Sequence, residues 1–562
     1  MSAPILPPTT AGIHPERFSN DLIFARKQLI AGIVLAVFIL VGFVLRINNL
    51  GVESLGEDEL NKLQTVEEYR RNGLSGKNGE HPFLMKGLQT VSLIGAERIN
   101  DYISSPELKI RQEAALRFPI ALFGTFTTLL IFLLVGEMFG RSIGLISAAL
   151  WAVEPMAIGF DRIAKEDSLV LFFFLLANVF FVRSQTAVQR DKKHWDWYAW
   201  ATAASFAALM ASKYYPHLLA ITGAYYNIFK HVPGSKWNLL GGRWVKFFLI
   251  MGITFVILNP TILLPDTWRE MLKFSSENRI GHDSYEFMGA LYGNKMSLWL
   301  SGVPWTFYYV FIAVKTSAST LLLFLIGLPL LFKRQLGDGR FFLFFWAFMW
   351  FLPFTFLGGK FTRYFTFVEP LILIGAAVGF YFSVHWISQK FFNRPVVAGA
   401  FQSFALVAFI GFPLYNSLAA APHFRLFTNM VGGGNLAAGS YFPHDEFYDA
   451  GTREIVARIA AIARPGATIA SETPLLFEHY ARQSGRGDLI CTALSDRSKV
   501  AELEIGDFIV VARGRRYFSN SKVVDYLGRS GPTAEIKFGE TSAALVYQLD
   551  ATTFDGIKEL AK

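Results

Sequence analysis

Apolar residues run along this chain in long blocks rather than in short alternating stripes. Stretches approaching the roughly 20 residues that a helix needs to cross a bilayer recur over the first three quarters. They cover 29–45, 118–137, 143–159, 168–182, 197–211 and 214–229, then 244–264, 319–332, 341–357, 364–387 and 396–415. These eleven blocks predict a polytopic α-helical membrane protein. The first follows Arg26 and Lys27 and runs into Arg46 without a small-residue cleavage site, which predicts a retained signal anchor with its N-terminus inside.

The pattern changes after Pro422. Apolar runs shorten, with helical periodicity over 452–463 and 475–483 and a β-like run over 468–471. Short runs at 508–512, 522–529, 534–538 and 543–549 complete the pattern of a small α/β domain. The chain therefore divides into a tail over 1–28, a membrane domain over 29–420 with loops at 47–117 and 265–304, and an α/β domain over 421–562.

Charge orients these pieces. Arg183, Arg190, Lys192 and Lys193, then Lys230, Lys236, Arg243 and Lys246, fall in loops on one side of the eleven-span count. Lys333, Arg334, Arg340, Lys390 and Arg394 fall on the same side, which predicts that side as cytoplasmic. The two long loops, the turn 160–167, the segment 358–363 and the α/β domain then lie outside. Composition agrees: 52% hydrophobic, 17% charged and 55 Phe is more apolar than one soluble core accommodates. The formal charge of +9 is explained by the cytoplasmic loops and calls for no nucleic-acid partner. The single cysteine, Cys491, has no disulfide partner in the chain.

Candidate chemistry gathers on the outer side. Asp58 and Glu59 follow the first span, with Glu80 and His81 about twenty residues on. A carboxylate anchored there suits general-base work on a substrate that is partly lipid. Arg117 opens the second span, and Asp161, Arg162 and Asp167 mark the turn between the third and fourth. Lys213 separates the fifth and sixth, while Lys360 and Arg363 precede the tenth. Singly these are ordinary interfacial residues; together they put cations and carboxylates at one membrane face, suited to an anionic lipid headgroup and a proton acceptor.

At these residues the chain resembles the glycosyltransferase C superfamily, specifically the dolichyl-phosphate-mannose protein mannosyltransferase family and its bacterial relatives, including the lipid A aminoarabinose transferase. Asp58-Glu59 resembles the acidic motif of the family's first external loop, and Glu80-His81-Pro82-Phe83-Leu84-Met85-Lys86 its His-Pro or Glu-Lys-Pro stretch. Arg117-Phe118-Pro119 with Phe123-Gly124, and Asp161-Arg162-Ile163-Ala164 to Asp167, resemble two further segments. Val303-Pro304-Trp305-Thr306-Phe307-Tyr308-Tyr309 to Lys315-Thr316 resembles a fourth.

The resemblance implies an inverting transferase that moves a sugar from a polyprenyl-phosphate donor to a hydroxyl acceptor, at the outer face of a membrane such as the bacterial inner membrane. It implies Asp58 as base with Glu59 as the alternative, and Lys213, Lys360, Arg363 and Arg117 as donor-phosphate ligands, Arg117 equally able to brace the acidic loop. Glu80, His81, Asp161, Arg162 and Asp167 would organise the site. The loop 265–304 is too short for the three β-trefoil repeats of the family's protein mannosyltransferases, so protein Ser/Thr, lipid and envelope-glycan acceptors all stay open. Glu80 and His282 resemble a carboxylate–histidine pair that holds zinc in the aminoarabinose branch, but a stable zinc site wants three or four ligands, and neither metal nor cofactor is expected. The rival reading, a transporter or flippase of a lipid-linked saccharide, would be expected to show internal repeats and broken mid-membrane helices.

Overall fold

The computed structural model describes residues 21–189, 195–229, 242–276 and 282–561. The N-terminal Pro-rich tail up to residue 20 and the basic positions Arg190, Lys192, Lys193, Lys230 and Lys236 lie outside the described residues.

The protein is a polytopic helical membrane protein. Among the described residues six helices are long and apolar enough to cross a bilayer: Leu29–Ile47, Pro106–Phe139, Asp167–Ala187, Gly339–Phe356, Glu369–Phe391 and Pro395–Ala420. A seventh candidate is broken into Arg141–Val153 and Pro155–Asp161 with a 61° bend. The sequence reads this stretch as one straight span over 143–159. Pro155 lacks the N–H that would continue the helix, and Glu154 at the break accepts from the N–H of Ser317, which opens the helix Ala318–Leu330, at 2.6 Å. The four other expected spans fall on Trp195–Ser212, Leu219–Phe229, Gly242–Leu258 and Ala318–Leu330, whose described residues do not by themselves meet the same combination of length and hydropathy. Ala318–Leu330 packs tightly on Glu369–Phe391, because a Cβ on Gly327 or Gly379 would run into the facing backbone.

The loop 47–117 is largely helical, with Glu57–Asn72 and Phe83–Asp101. The loop 265–304 holds the helix Pro265–Ser276 and a hairpin of β1 (Ser284–Phe287) and β2 (Ala290–Gly293). In the C-terminal part, β3 (Thr468–Ser471), β4 (Ile490–Ala493), β5 (Phe508–Ala512), β6 (Ala534–Phe538) and β7 (Thr541–Gln548) form one sheet in the order β4-β3-β5-β7-β6. The pairs β3–β4 and β3–β5 are parallel; β5–β7 and β6–β7 are antiparallel. Helices Thr452–Ile462 and Pro474–Gln483 lie close to the periodic runs read from the sequence; β4 and the helix Ala551–Ala561 are additions.

One apolar core joins this sheet to the first long loop. Leu60, Leu63 and Val66 of Glu57–Asn72 pack in the same cluster as Ile455, Ile469, Phe477 and Val510. Polar contacts reinforce the join. The Leu55 N–H donates to the Tyr480 hydroxyl at 2.7 Å, which itself donates to Glu113 at 2.9 Å, and Arg425 meets Glu53 at 2.7 Å. The α/β part is therefore built onto the loop that carries Asp58, not tethered beside it.

Candidate active site

The helix Glu57–Asn72 begins with three carboxylates, Glu57, Asp58 and Glu59, which complement the positive end of the helix dipole. Helical spacing then separates them. Asp58, Asn61 and Lys62 share the face that lines a cavity of about 560 Å³. Glu59 shares the opposite face with Leu63 and Val66 and is wholly buried.

Glu59 accepts hydrogen bonds from Arg117 at 2.6 and 2.9 Å, from the Gly56 N–H at 2.8 Å and from the Ala164 N–H at 2.7 Å. Burial would raise its pKa, but the Arg117 charge and these hydrogen bonds outweigh that and hold it low. These bonds engage its carboxylate behind the cavity wall, and Glu59 does not line the cavity. Arg117 is likewise buried and also donates to the carbonyls of Leu50, Glu53 and Ser54. It pins the acidic loop, one of the two roles expected for it, and is absent from the cavity wall.

Asp161 and Arg162 also act behind the wall. Asp161 is buried against Arg46 at 2.8 Å. Arg162 donates to the carbonyls of Leu45, Arg46, Asn48 and Asn49, the chain leaving the first span, and so caps that helix end. Lys360 is buried and donates to the Leu357 carbonyl; it does not line the cavity, and burial alone lowers it to about 8.

The other expected residues do meet. Asp58, Glu80, His81, Asp167, Lys213, His282 and Arg363 all line the cavity. Lys213 holds Asp167 at 2.9 Å and lies over the rings of Tyr215 and Tyr364. Burial works against its charge, yet Asp167 and the two tyrosines raise it well above the ordinary lysine value. His81 stands 3.3 Å from Glu166, but burial, aided by Lys62, Lys165 and Lys213, depresses it to about 3 and keeps it neutral.

Asp58 carries the sharpest electrostatics. It pairs with Lys165 and lies 3.9 Å from Arg363, with its side chain 40% exposed to the cavity. Desolvation pushes its pKa up, but Lys165, Arg363 and Lys62 together drive it well below the ordinary carboxylate range. Arg363 lies 3.6 Å from Asp445 and stacks on Phe361 at 4.2 Å.

Sequence reasoning missed several lining residues. Lys62 and Glu166 form a buried ion pair at 3.0 Å. Lys62 lies four residues after Asp58 on the same helical face, and that spacing was the available signal. The α/β part supplies His444, Tyr448 and Arg515. Arg515 is buried and bonds Asp449 at 2.7 Å and Glu57 at 3.2 Å, with His282 3.0 Å away. Tyr448 has φ 48° and Asp449 φ 61°, a left-handed pair that non-glycine residues seldom adopt. A Cβ at position 56 would collide with the Tyr448 ring, so glycine there lets the α/β wall close on the Asp58 loop.

Glu80 accepts from Asn78 at 2.6 Å, while His282 stacks on Tyr517. Among the described residues no three His, Cys, Asp or Glu side chains are grouped to hold a metal ion.

The family model for dolichyl-phosphate-mannose-protein mannosyltransferase matches residues 105–263. No curated protein matches the chain. Solved structures that align with the chain include ArnT from Cupriavidus metallidurans bound to undecaprenyl phosphate, at 14% identity, TM-score 0.47, covering 94% of this chain and 98% of that one. The Archaeoglobus fulgidus oligosaccharyltransferase tethered with an acceptor peptide follows at 12% identity, TM-score 0.49, 86% and 69%. The S. cerevisiae Pmt1-Pmt2 complex bound to its sugar donor aligns at 18% identity, TM-score 0.30, 44% and 34%. The matched segment 105–263 contains Arg117, Asp161, Arg162, Lys165, Glu166, Asp167 and Lys213, and it is there that the resemblance of this chain to the dolichyl-phosphate-mannose-protein mannosyltransferase family, first read from its motifs, is borne out.

Proposed function

We propose that the protein is a membrane glycosyltransferase that moves a sugar from a polyprenyl-phosphate donor to a hydroxyl acceptor with inversion, on the outer face of the membrane. The observation that carries this reading is one carboxylate, Asp58, set in a cavity wall between two cations, Lys165 and Arg363. The acceptor O–H gives its proton to Asp58 while its oxygen forms a bond to the sugar's anomeric carbon. The bond from that carbon to the phosphate oxygen breaks, and the phosphate leaves with the electron pair. Lys165 and Arg363 stabilise the charge that builds on it. A single displacement from the side opposite the phosphate inverts the anomeric centre.

Arg363 is the residue best placed for the phosphate. Its guanidinium faces the cavity with its carboxylate neighbours at 3.6 and 3.9 Å, longer than hydrogen-bond distance. Lys213, tied to Asp167 at 2.9 Å, stays a second cation of the same wall. Arg363→Ala is expected to raise the apparent KM for donor by about tenfold or more, as for a lost charged hydrogen bond of about 1.5–3 kcal/mol, with the acceptor KM changing far less. An unchanged donor KM would remove Arg363 from the phosphate site.

The decisive assay incubates purified protein with radiolabelled polyprenyl-phosphate sugars and a membrane extract. Label transferred to a protein, lipid or glycan supports the reading and identifies the acceptor. Movement of the intact lipid-linked sugar across a vesicle without transfer would establish the flippase alternative instead. Transfer is further expected to withstand exhaustive chelation. If chelation abolishes it and zinc alone restores it, a metal is required and Glu80 with His282 is the place to look.

A further inference from the structure

The cavity wall is balanced in charge. Five cations (Lys62, Lys165, Lys213, Arg363, Arg515) face five carboxylates (Glu57, Asp58, Glu80, Glu166, Asp167). The histidines add nothing, since burial holds His81 at about 3, His282 at about 4 and His444 well below its ordinary value. An incoming phosphate therefore meets no spare positive charge and has to draw a cation from a resident carboxylate.

The pairings decide which. Lys62 is buried in its bond to Glu166, Lys213 is fixed to Asp167 and framed by two tyrosines, and Arg515 is locked to Asp449. The remaining cations, Lys165 and Arg363, share Asp58, and Arg363 also lies 3.6 Å from the buried Asp445. Among the described residues Asp58 is the carboxylate within ion-pair distance of Lys165. Resting on the proposed transferase reading, we propose that Lys165 is a switch for Asp58: it pairs with the carboxylate in the empty cavity, and the donor's phosphate takes it over, freeing Asp58 to receive the acceptor's proton.

The groups around Asp58 fit that role. Lys165 comes from the turn after Pro155–Asp161, Arg363 from the segment before Glu369–Phe391, and Lys62 from Asp58's own helix. Glu57, Tyr448 and His282 complete the surroundings. Burial lowers Lys165 to about 8 even though Asp58 opposes the shift, with Lys62 and Arg363 adding repulsion. A lysine so placed gains from any further anion. The paired Asp58 is a poor base, because its lone pairs and charge are spent on cations; a carboxylate stripped of them moves toward the ordinary range and accepts a proton more readily. Donor binding thus precedes activation of the base, and acceptor is not deprotonated at an empty site.

A double-mutant cycle on phosphate-lipid binding tests this without requiring turnover. The probe is a polyprenyl monophosphate in detergent, titrated against wild type, Asp58→Asn, Lys165→Met and the double variant. If lipid and Asp58 compete for Lys165, Asp58→Asn tightens binding by about tenfold, Lys165→Met weakens it by a similar factor, and Asp58→Asn in the Lys165→Met background changes it less than about twofold. Lys165→Arg keeps the cation and is expected to preserve the effect of Asp58→Asn, which serves if the Met variant fails to fold. Additive effects, or an Asp58→Asn variant that binds no tighter, would overturn the switch. The same cycle separates it from the parent reading. Coupling without any sugar transfer keeps the switch and discards the transferase; transfer with additive binding does the reverse.

Discussion

Asp58→Asn is expected to lower kcat by about 10²–10⁴-fold, the range for loss of a general base, while donor binding is held or strengthened. The substitution is nearly isosteric and the side chain is 40% exposed to the cavity, so the fold has little reason to respond. What it removes is the proposed proton acceptor, a lining carboxylate that pairs with Lys165 and lies 3.9 Å from Arg363. The expected signature is a rate collapse with unchanged or lower donor KM, the pattern of an interaction needed in the transition state and not in the ground state. The measurement is single-turnover transfer from a radiolabelled donor by purified protein. A near wild-type rate would sink Asp58 as base. Glu57 is the carboxylate to test next, since burial raises its pKa despite Arg515, and it lines the same cavity.

Much of this arrangement was legible in the sequence, for physical reasons that also mark where it stops. A bilayer demands long apolar helices, so the spans announce themselves by length and composition. The strands β3, β5 and β6 are short apolar runs bounded by polar turns, and their limits could be read to the residue. Asp58 was legible as a member of an acidic pair at a loop anchored to the membrane. Which member of the pair faces the cavity was not, although the 3.6-residue period placed Glu59 beside Leu63 and Val66 once the helix Glu57–Asn72 was known.

The wall contributed by the α/β part was not legible because it depends on contacts across several hundred residues. Arg515 and Glu57 bond at 458 residues' separation, and no local pattern encodes that. Arg162 stands in a motif beside the site residues, but its guanidinium is spent on the carbonyls that end the first span. A charged residue near a helix end satisfies backbone before it is free for chemistry. Lys360 is misleading for the same reason, its ammonium turned to the Leu357 carbonyl.

Removing Arg117 is expected to be among the most damaging single changes in the protein, and to act through stability first. Arg117 and Glu59 are both buried and joined by two hydrogen bonds, and Arg117 also ties down the carbonyls of Leu50, Glu53 and Ser54. Arg117→Met would leave the Glu59 carboxylate buried without its charge partner, a loss of about 3–5 kcal/mol for a broken buried pair. Glu59→Gln would cost less, because no buried carboxylate is stranded, Arg117 keeps the carbonyls of Leu50, Glu53 and Ser54, and the amide oxygen keeps one of the two donor pairs, Arg117 with Gly56 or Arg117 with Ala164. Joint replacement by Met at 117 and Leu at 59 should recover part of the loss, since no uncompensated charge remains. Thermal unfolding in detergent, followed for the two Arg117 variants and Glu59→Gln, gives that order directly. The turnover of whatever protein stays folded supplies the contrast with Asp58. If Glu59 is a brace, the folded fraction of Glu59→Gln keeps a rate within about tenfold of wild type, far above the loss expected for a base. A stable Glu59→Gln protein with its transfer rate abolished would instead place Glu59 in the chemistry.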